Sequence, residues 1–259
     1  MLKRMIPKTC LLLVLFAGSF LVSSCEKDED ASPSLGDSAF PVPDYPQPAD
    51  ADGILVAIRA GVPAPVDMPA VPGMPAGGTV EFQYGMGVAL FKGNAKAEKV
   101  VLNDVELKFV NGVHIWQPDY SNLANPANLT GIDFSSGANW QVTNPTFQQA
   151  AGNLPGMPKI TSGKSVTRSS GYTITNQAVG NAQKVLYGIY SSNGKYVHKE
   201  AAGNSAQLSF SAEELASLGA TKQGIIQANA FTITDKTIDG KKIYFVRQSS
   251  YSLTGVEIK

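Results

Sequence analysis

Histidine, cysteine and tryptophan occur only twice each in this chain of 259 residues, and charged residues make up only 16% of it. Each scarcity excludes something. Two histidines, His114 and His198, are too few for a histidine-rich metal site, and each sits in or beside an expected strand, where a surface or edge position is the plain reading. Both cysteines, Cys10 and Cys25, fall in the first 25 residues, so the rest of the chain holds no disulfide and no cysteine-built zinc site. No apolar run reaches the roughly 20 residues of a membrane span; the longest, Cys10 to Val22, has thirteen. Basic residues form no cluster, which removes the electrostatic footprint of nucleic-acid binding. Nor is there a Gly-x-Ser-x-Gly elbow, a Walker loop or a dinucleotide fingerprint.

What is present begins at the leader. Lys3, Arg4 and Lys8 precede the apolar run, the layout of a secretory signal. The run ends in Val22-Ser23-Ser24-Cys25, which resembles the lipobox of bacterial lipoproteins. The resemblance implies cleavage before Cys25, a diacylglycerol on its thiol and an acyl chain on the new amino group. The covalent lipid would then be the only prosthetic group expected, with no other cofactor and no metal. Each buried methylene contributes about 0.8 kcal/mol, so one chain holds a membrane marginally and two or three hold it durably.

The following residues, Glu26-Lys27-Asp28-Glu29-Asp30, resemble the surface-export signal of lipoproteins of the Bacteroidetes, a lysine or serine followed by acids close to the lipidated cysteine. That resemblance implies an outer-membrane protein, lipid-anchored and facing outward. Loss of residues 1–24 removes three basic residues and no acidic ones, which leaves a net charge of −3.

Residues 25–52 read as the lipidated cysteine and a tether. Phe40-Pro-Val-Pro-Asp-Tyr-Pro-Gln-Pro48 is stiff and extended, because proline fixes φ and removes backbone donors. Asp50-Ala-Asp52-Gly53 carries too few oxygen ligands for a calcium loop and reads as a turn into the first strand.

From Gly53 onward the pattern predicts an all-β protein with two β-sandwich-like domains, 53–146 and 147–259, the second immunoglobulin-like. Strands are expected at Ile54–Ile58, Val80–Leu90, Val105–Phe109, Gly112–Trp116 and Asn139–Thr143 in the first half, where apolar residues alternate with polar ones. Gly85 and Gly87 share one face of the second strand and predict a bulge there. Asn144–Pro158 is rich in Asn, Gly, Gln and Pro and reads as the domain boundary. Beyond it, strands are expected at Gly171–Thr175, Gln183–Tyr190, Ala206–Phe210, Gly224–Thr234 and Lys242–Ile258. Apolar phase shifts at Gly255, as at a bulge. One short helix is expected, since Ser211-Ala-Glu-Glu214 is a capping box and Gly219 a stop.

Catalytic groups are sparse. The favoured reading is a non-enzymatic binding or structural module, taking a glycan or an envelope protein for nutrient uptake or adhesion. The alternative is an envelope hydrolase whose site assembles only in the fold. Ligand-binding candidates are Trp116, Asp119, Tyr120 and Trp140, because aromatic rings stack on sugar faces while acids and amides bond hydroxyls. Trp140 alternates with Ala138 and Val142, which is also the pattern of a core residue. The loop Val62–Pro75, built of Pro, Ala, Val and Met, is long for a connection between strands and stands as a second candidate for docking or self-packing.

Overall fold

The computed structural model describes residues 50–65, 79–116, 130–144 and 146–259. Cys25, the acidic run Glu26–Asp30, the tether as far as residue 49, Asp119 and Tyr120 lie outside the described residues.

The fold is all-β and sandwich-like. Its base is a nine-stranded sheet that draws on both ends of the described residues. β1 (Gly53–Pro65) and β2 (Thr79–Phe91) form its first hairpin, and β14 (Thr221–Ile238) and β15 (Lys241–Ile258) its longest. The latter turns on Asp239 and Gly240, both at positive φ, the two-residue geometry whose twist matches that of the strands. β5 (Lys108–Val110) and β6 (Val113–Ile115), joined by Asn111-Gly112 in the same way, complete one edge. β11 (Lys184–Tyr190) and β12 (Tyr196–Ala202) complete the other. The order is β12-β11-β14-β15-β1-β2-β6-β5, with β9 (Ser165–Val166) added along the end of β15.

Two smaller layers cover one face. A four-stranded sheet of order β4-β3-β7-β8 is made by β3 (Lys99–Leu102), β4 (Val105–Glu106), β7 (Ala138–Thr143) and β8 (Phe147–Gly152). It closes a core in which Val100, Leu102, Trp140 and Phe147 meet Leu55 and Phe245 of the large sheet. β10 (Tyr172–Thr175) pairs with β13 (Gln207–Phe210), and helix α1 (Ala212–Leu215) follows. These close a second core, where Ile174, Phe210 and Leu215 meet Val185, Ile226 and Leu253. The opposite face of the large sheet carries a third apolar cluster that includes Val56, Ile58, Met86 and Val88.

The expected boundary between 146 and 147 is not a break in the sheet. β1, from the first half, runs parallel to β15, from the second, in register from Gly53 opposite Ile243 to Gly61 opposite Tyr251. β8, from the second half, completes the first cover, and both covers sit on one shared sheet. Two cores therefore rest on one continuous backbone ladder.

Local expectations meet the structure unevenly. The capping box at Ser211 is present: its hydroxyl accepts from the Glu214 N–H, and the Glu214 carboxylate accepts from the Ser211 N–H. Gly255 is the extra residue of a bulge, since Gly224 faces Val256 and Ile225 faces Thr254, and its φ is +68°. Gly85 and Gly87 carry no bulge, because β2 pairs with β1 without a register shift. Their lack of a side chain serves close packing. A Cβ on Gly85 would stand 1.8 Å from the Ile132 carbonyl oxygen, and one on Gly87 would stand 2.7 Å from Leu102 Cδ2.

The single strand expected over Val105–Phe109 is two. The chain leaves the small sheet after Glu106 and enters the large one at Lys108, with Leu107 buried at the corner. Alternation persists through such a corner while the hydrogen-bond partners change, so periodicity alone does not reveal it. Residues 62–65 of the expected loop are strand. Pro63 and Pro65 are tolerated there because β1 pairs with β15 only as far as Gly61, so beyond it one edge needs no donors.

Candidate functional site

Between the two covers runs a seam, and it is polar. Arg59, Arg247 and Ser249 project from β1 and β15 where neither apolar core reaches. The connecting run Asn153–Met157 crosses above them. Arg59 Nη2 donates to the Pro155 carbonyl at 2.7 Å and to Ser249 Oγ at 3.2 Å. Ser249 Oγ donates to the same carbonyl at 2.7 Å, and Arg247 Nη1 donates to the Asn153 carbonyl at 3.0 Å. Backbone oxygens thus tie the crossing strap to the shared sheet. Neither arginine has a carboxylate partner among the described residues. Burial pushes both guanidinium groups down from their ordinary value, yet arginine stays charged across any accessible pH.

Beside Arg59 the seam opens into a cavity of about 360 Å³, the size of a small-ligand site. Arg59, Gln83, Tyr84 and Gly85 line it from the large sheet. The segment Thr130–Ser135 forms its other wall. That wall is held by backbone. Gly85 and Gly131 form an isolated parallel bridge, and the Ile132 N–H donates to the Gly85 carbonyl at 3.0 Å. A Cβ on Gly131 would stand 2.0 Å from the Gly85 oxygen, and Gly131 has φ +68°, so glycine is required on both counts.

The far end of the wall is clamped by Asn103, in the two-residue turn Asn103-Asp104 between β3 and β4. Its amide nitrogen donates to the Asp133 and Gly137 carbonyls, and its amide oxygen accepts from the Asn139 N–H at 2.8 Å. Asp133 is fixed in turn by Ser135, whose hydroxyl donates to one carboxylate oxygen at 2.7 Å and whose N–H donates to the other at 2.9 Å. The Ser135 hydroxyl, and then its N–H, hold the Asp133 carboxyl below the usual range. The cavity therefore offers one cation, one anion and several amide and hydroxyl groups. Among the described residues its lining includes no histidine, cysteine or lysine.

Of the four ligand-binding candidates, two are described, and the structure separates them. Trp140 is 1% exposed and belongs to the first core, which corrects its placement at a binding surface. Alternation with Ala138 and Val142 is the signature of that burial. Trp116 is half-buried, packs against the first and third clusters, and lies just ahead of residues 117–129, after which the cavity wall starts at Thr130.

His114 is a second correction. It is 2% exposed, not at a surface or edge position. Its ring lies between Phe109 and Phe91, with centroids at 4.9 and 6.1 Å, and its Nε2 accepts from the Ala97 N–H at 3.1 Å. His198 sits on the edge strand β12, half-buried and stacked on Tyr196.

Asp50 and Asp52 bind cations of the protein itself. Asp52 accepts from the Lys242 N–H at 2.9 Å and from Lys92 Nζ at 3.1 Å, while Asp50 accepts from Lys242 Nζ at 2.8 Å and Tyr244 Oη at 2.9 Å. They fasten the start of β1 to β15. Among the described residues, no three His, Cys, Asp or Glu side chains gather as a metal-binding group, and no helix is long and apolar enough to cross a membrane.

Sequence reading missed Arg59, Gln83, Asp133 and Ser135. Two signals were there. Arg59 is the only charged residue between Gly53 and Pro65, on the face of Leu55 and Ala57, and a lone charge in an apolar strand needs a partner or a purpose. Asp133-Phe-Ser135 is the spacing of a side-chain-to-backbone turn. No protein-family model matches this chain, and no curated protein matches it.

Proposed function

We propose that this chain is a lipid-anchored outer-membrane protein of the cell surface whose sandwich is a non-enzymatic binding module, with the seam cavity as a saccharide site for glycan capture. The observation that carries the reading is the cavity itself, a small concavity lined by amide, hydroxyl, carboxylate and guanidinium groups on backbone-fixed walls. Such groups bond sugar hydroxyls, and the rigid walls keep the ordering cost of binding low. Hydrolysis of a glycoside ordinarily calls for two carboxyl groups flanking the bond, and among the described residues this lining has Asp133 alone. Binding without turnover is the better reading of one acid.

Localisation rests on Cys25 and the acidic run after it. Cys25→Ala is expected to block incorporation of a clickable palmitate analogue and to release the protein from the outer-membrane fraction. Protease added to intact cells is expected to digest the wild-type protein. Retention of the variant in the membrane would refute the anchor, and protection from protease would refute the outward orientation.

For the binding function, the test is a glycan array probed with the full-length protein, followed by turnover assays on each hit. Binding without cleavage is expected. Release of shortened sugars would favour the hydrolase instead.

A further inference from the structure

We propose that the Arg59 corner of the cavity takes the carboxylate of an acidic sugar residue, while Gln83, Asp133 and Ser135 meet its hydroxyls. The inference deepens the reading of this cavity as a saccharide site and rests on it.

The argument starts from an unbalanced charge. Arg59 is half-buried and has no carboxylate partner among the described residues. Its Nη2 is committed to Pro155 and Ser249. Its Nε is buried and bonds nothing, and its Nη1 bonds nothing among the described residues yet, unlike Nε, is not shut off from solvent. A guanidinium with three idle N–H donors on two nitrogens, partly out of water, costs free energy that a ligand anion would offset. Three fixed groups hold the head in place: the strap carbonyl, the Ser249 hydroxyl and the sheet beneath. It is preorganised for that role.

Asp133 narrows the class of anion. It lines the same cavity with both oxygens already accepting from Ser135, and it carries a full negative charge at neutral pH. A dianion such as a phosphate ester or sulfate cluster would meet one arginine and one carboxylate, and repulsion would cancel much of the gain. A monoanion whose other groups are hydroxyls fits both ends. Its carboxylate faces Arg59, and its O–H groups donate to Asp133, whose oxygens retain acceptor capacity. A neutral sugar would leave Arg59 uncompensated. A cavity of about 360 Å³ has room for one or two pyranose rings.

The test is calorimetric titration of the full-length protein with oligosaccharides containing glucuronate, galacturonate or mannuronate, each beside its neutral counterpart with the carboxylate reduced to the alcohol. At least one acidic oligosaccharide is expected to bind about tenfold or more tightly than its neutral counterpart, the scale of one charge-assisted contact. Arg59→Gln is expected to remove that preference. Ser249→Ala, which removes one of the groups that hold the Arg59 head, is expected to weaken the preference without abolishing it. Should Arg59→Gln fail to fold, Asp133→Asn on the opposite wall decides: loss of its repulsion is expected to widen the preference for the acidic partner, and an unchanged preference would overturn the inference. Equal binding of acidic and neutral partners would overturn the acidic-sugar inference and leave the saccharide site standing. Binding of none of them by the folded protein would overturn both.

Discussion

Gly85 and Gly131 touch backbone to backbone, and nothing larger than hydrogen fits between them. Gly85→Ala is expected to destabilise the protein by about 1–3 kcal/mol, the usual range for overpacking, and to widen or displace the cavity wall. Thermal melting together with loss of ligand binding checks it, and an unchanged melting temperature would contradict the close approach. Trp140 acts only by packing, since its indole N–H is buried without a partner. Trp140→Ala should cost about 3–5 kcal/mol, and Trp140→Phe, which keeps a ring and removes the orphaned donor, clearly less.

His114 supplies the pH dependence. Burial depresses its basicity, opposed by the Leu107 carbonyl near Nδ1 and aided by the charge of Lys96, and Nε2 already accepts from Ala97. The folded imidazole therefore takes a proton at lower pH than the unfolded one. Its contribution is complete above the ordinary imidazole value of about 6.5 and is lost as pH falls through the depressed folded value. Melting temperature should drop between about pH 7 and 5 in the wild type, and the drop should be shallower in His114→Gln.

At this scale the cavity was barely legible in the sequence. Arg59, Gln83 and Asp133 are joined by register and by a glycine contact between residues 46 positions apart, and local pattern carries no trace of either.

Elements were more legible where one face is dry. β7 alternates buried and exposed residues without exception, and β14 keeps Ile226, Ala228 and Ala230 on one core face. β8 and β12 escaped. In Phe147–Gly152 only Phe147 is buried, and Tyr196–Ala202 lies at a sheet edge with no residue fully buried, so neither offers an apolar rhythm. The prolines and glycines of Asn144–Pro158 gave no sign that the sheet beneath continues, or that β8 within that stretch belongs to the first cover. The crossing strap is held by side chains from β1 and β15. Ser249→Ala removes one of the two donors to the Pro155 carbonyl and is expected to cost about 1 kcal/mol by chemical denaturation, with the slope unchanged. No change in the midpoint would mean that the strap is carried by Arg59 alone.

For the whole molecule, the parallel pairing of β1 with β15 makes the first and last strands neighbours at the centre of one sheet. Neither core is complete without β15, which gives Ile243 and Phe245 to the first, beside Leu55 and Ala57 of β1, and Tyr251, Leu253, Val256 and Ile258 to the second. The described fold should unfold as one cooperative unit, with calorimetric and van't Hoff enthalpies equal; two resolved transitions would contradict the shared sheet. The same architecture leaves a seam where two covers meet, and a seam is where a sandwich has room for polar groups and a cavity. The most direct measurement is a two-dimensional amide NMR titration of the full-length protein with the oligosaccharide that binds best. The account predicts shifts concentrated at Gln83–Gly85 and Thr130–Ser135, with the Arg59 Nε–H resonance moving alongside them. Shifts gathered on the edge strand β12, or none at all while binding is measured by calorimetry, would place the ligand elsewhere and contradict the seam cavity as the site.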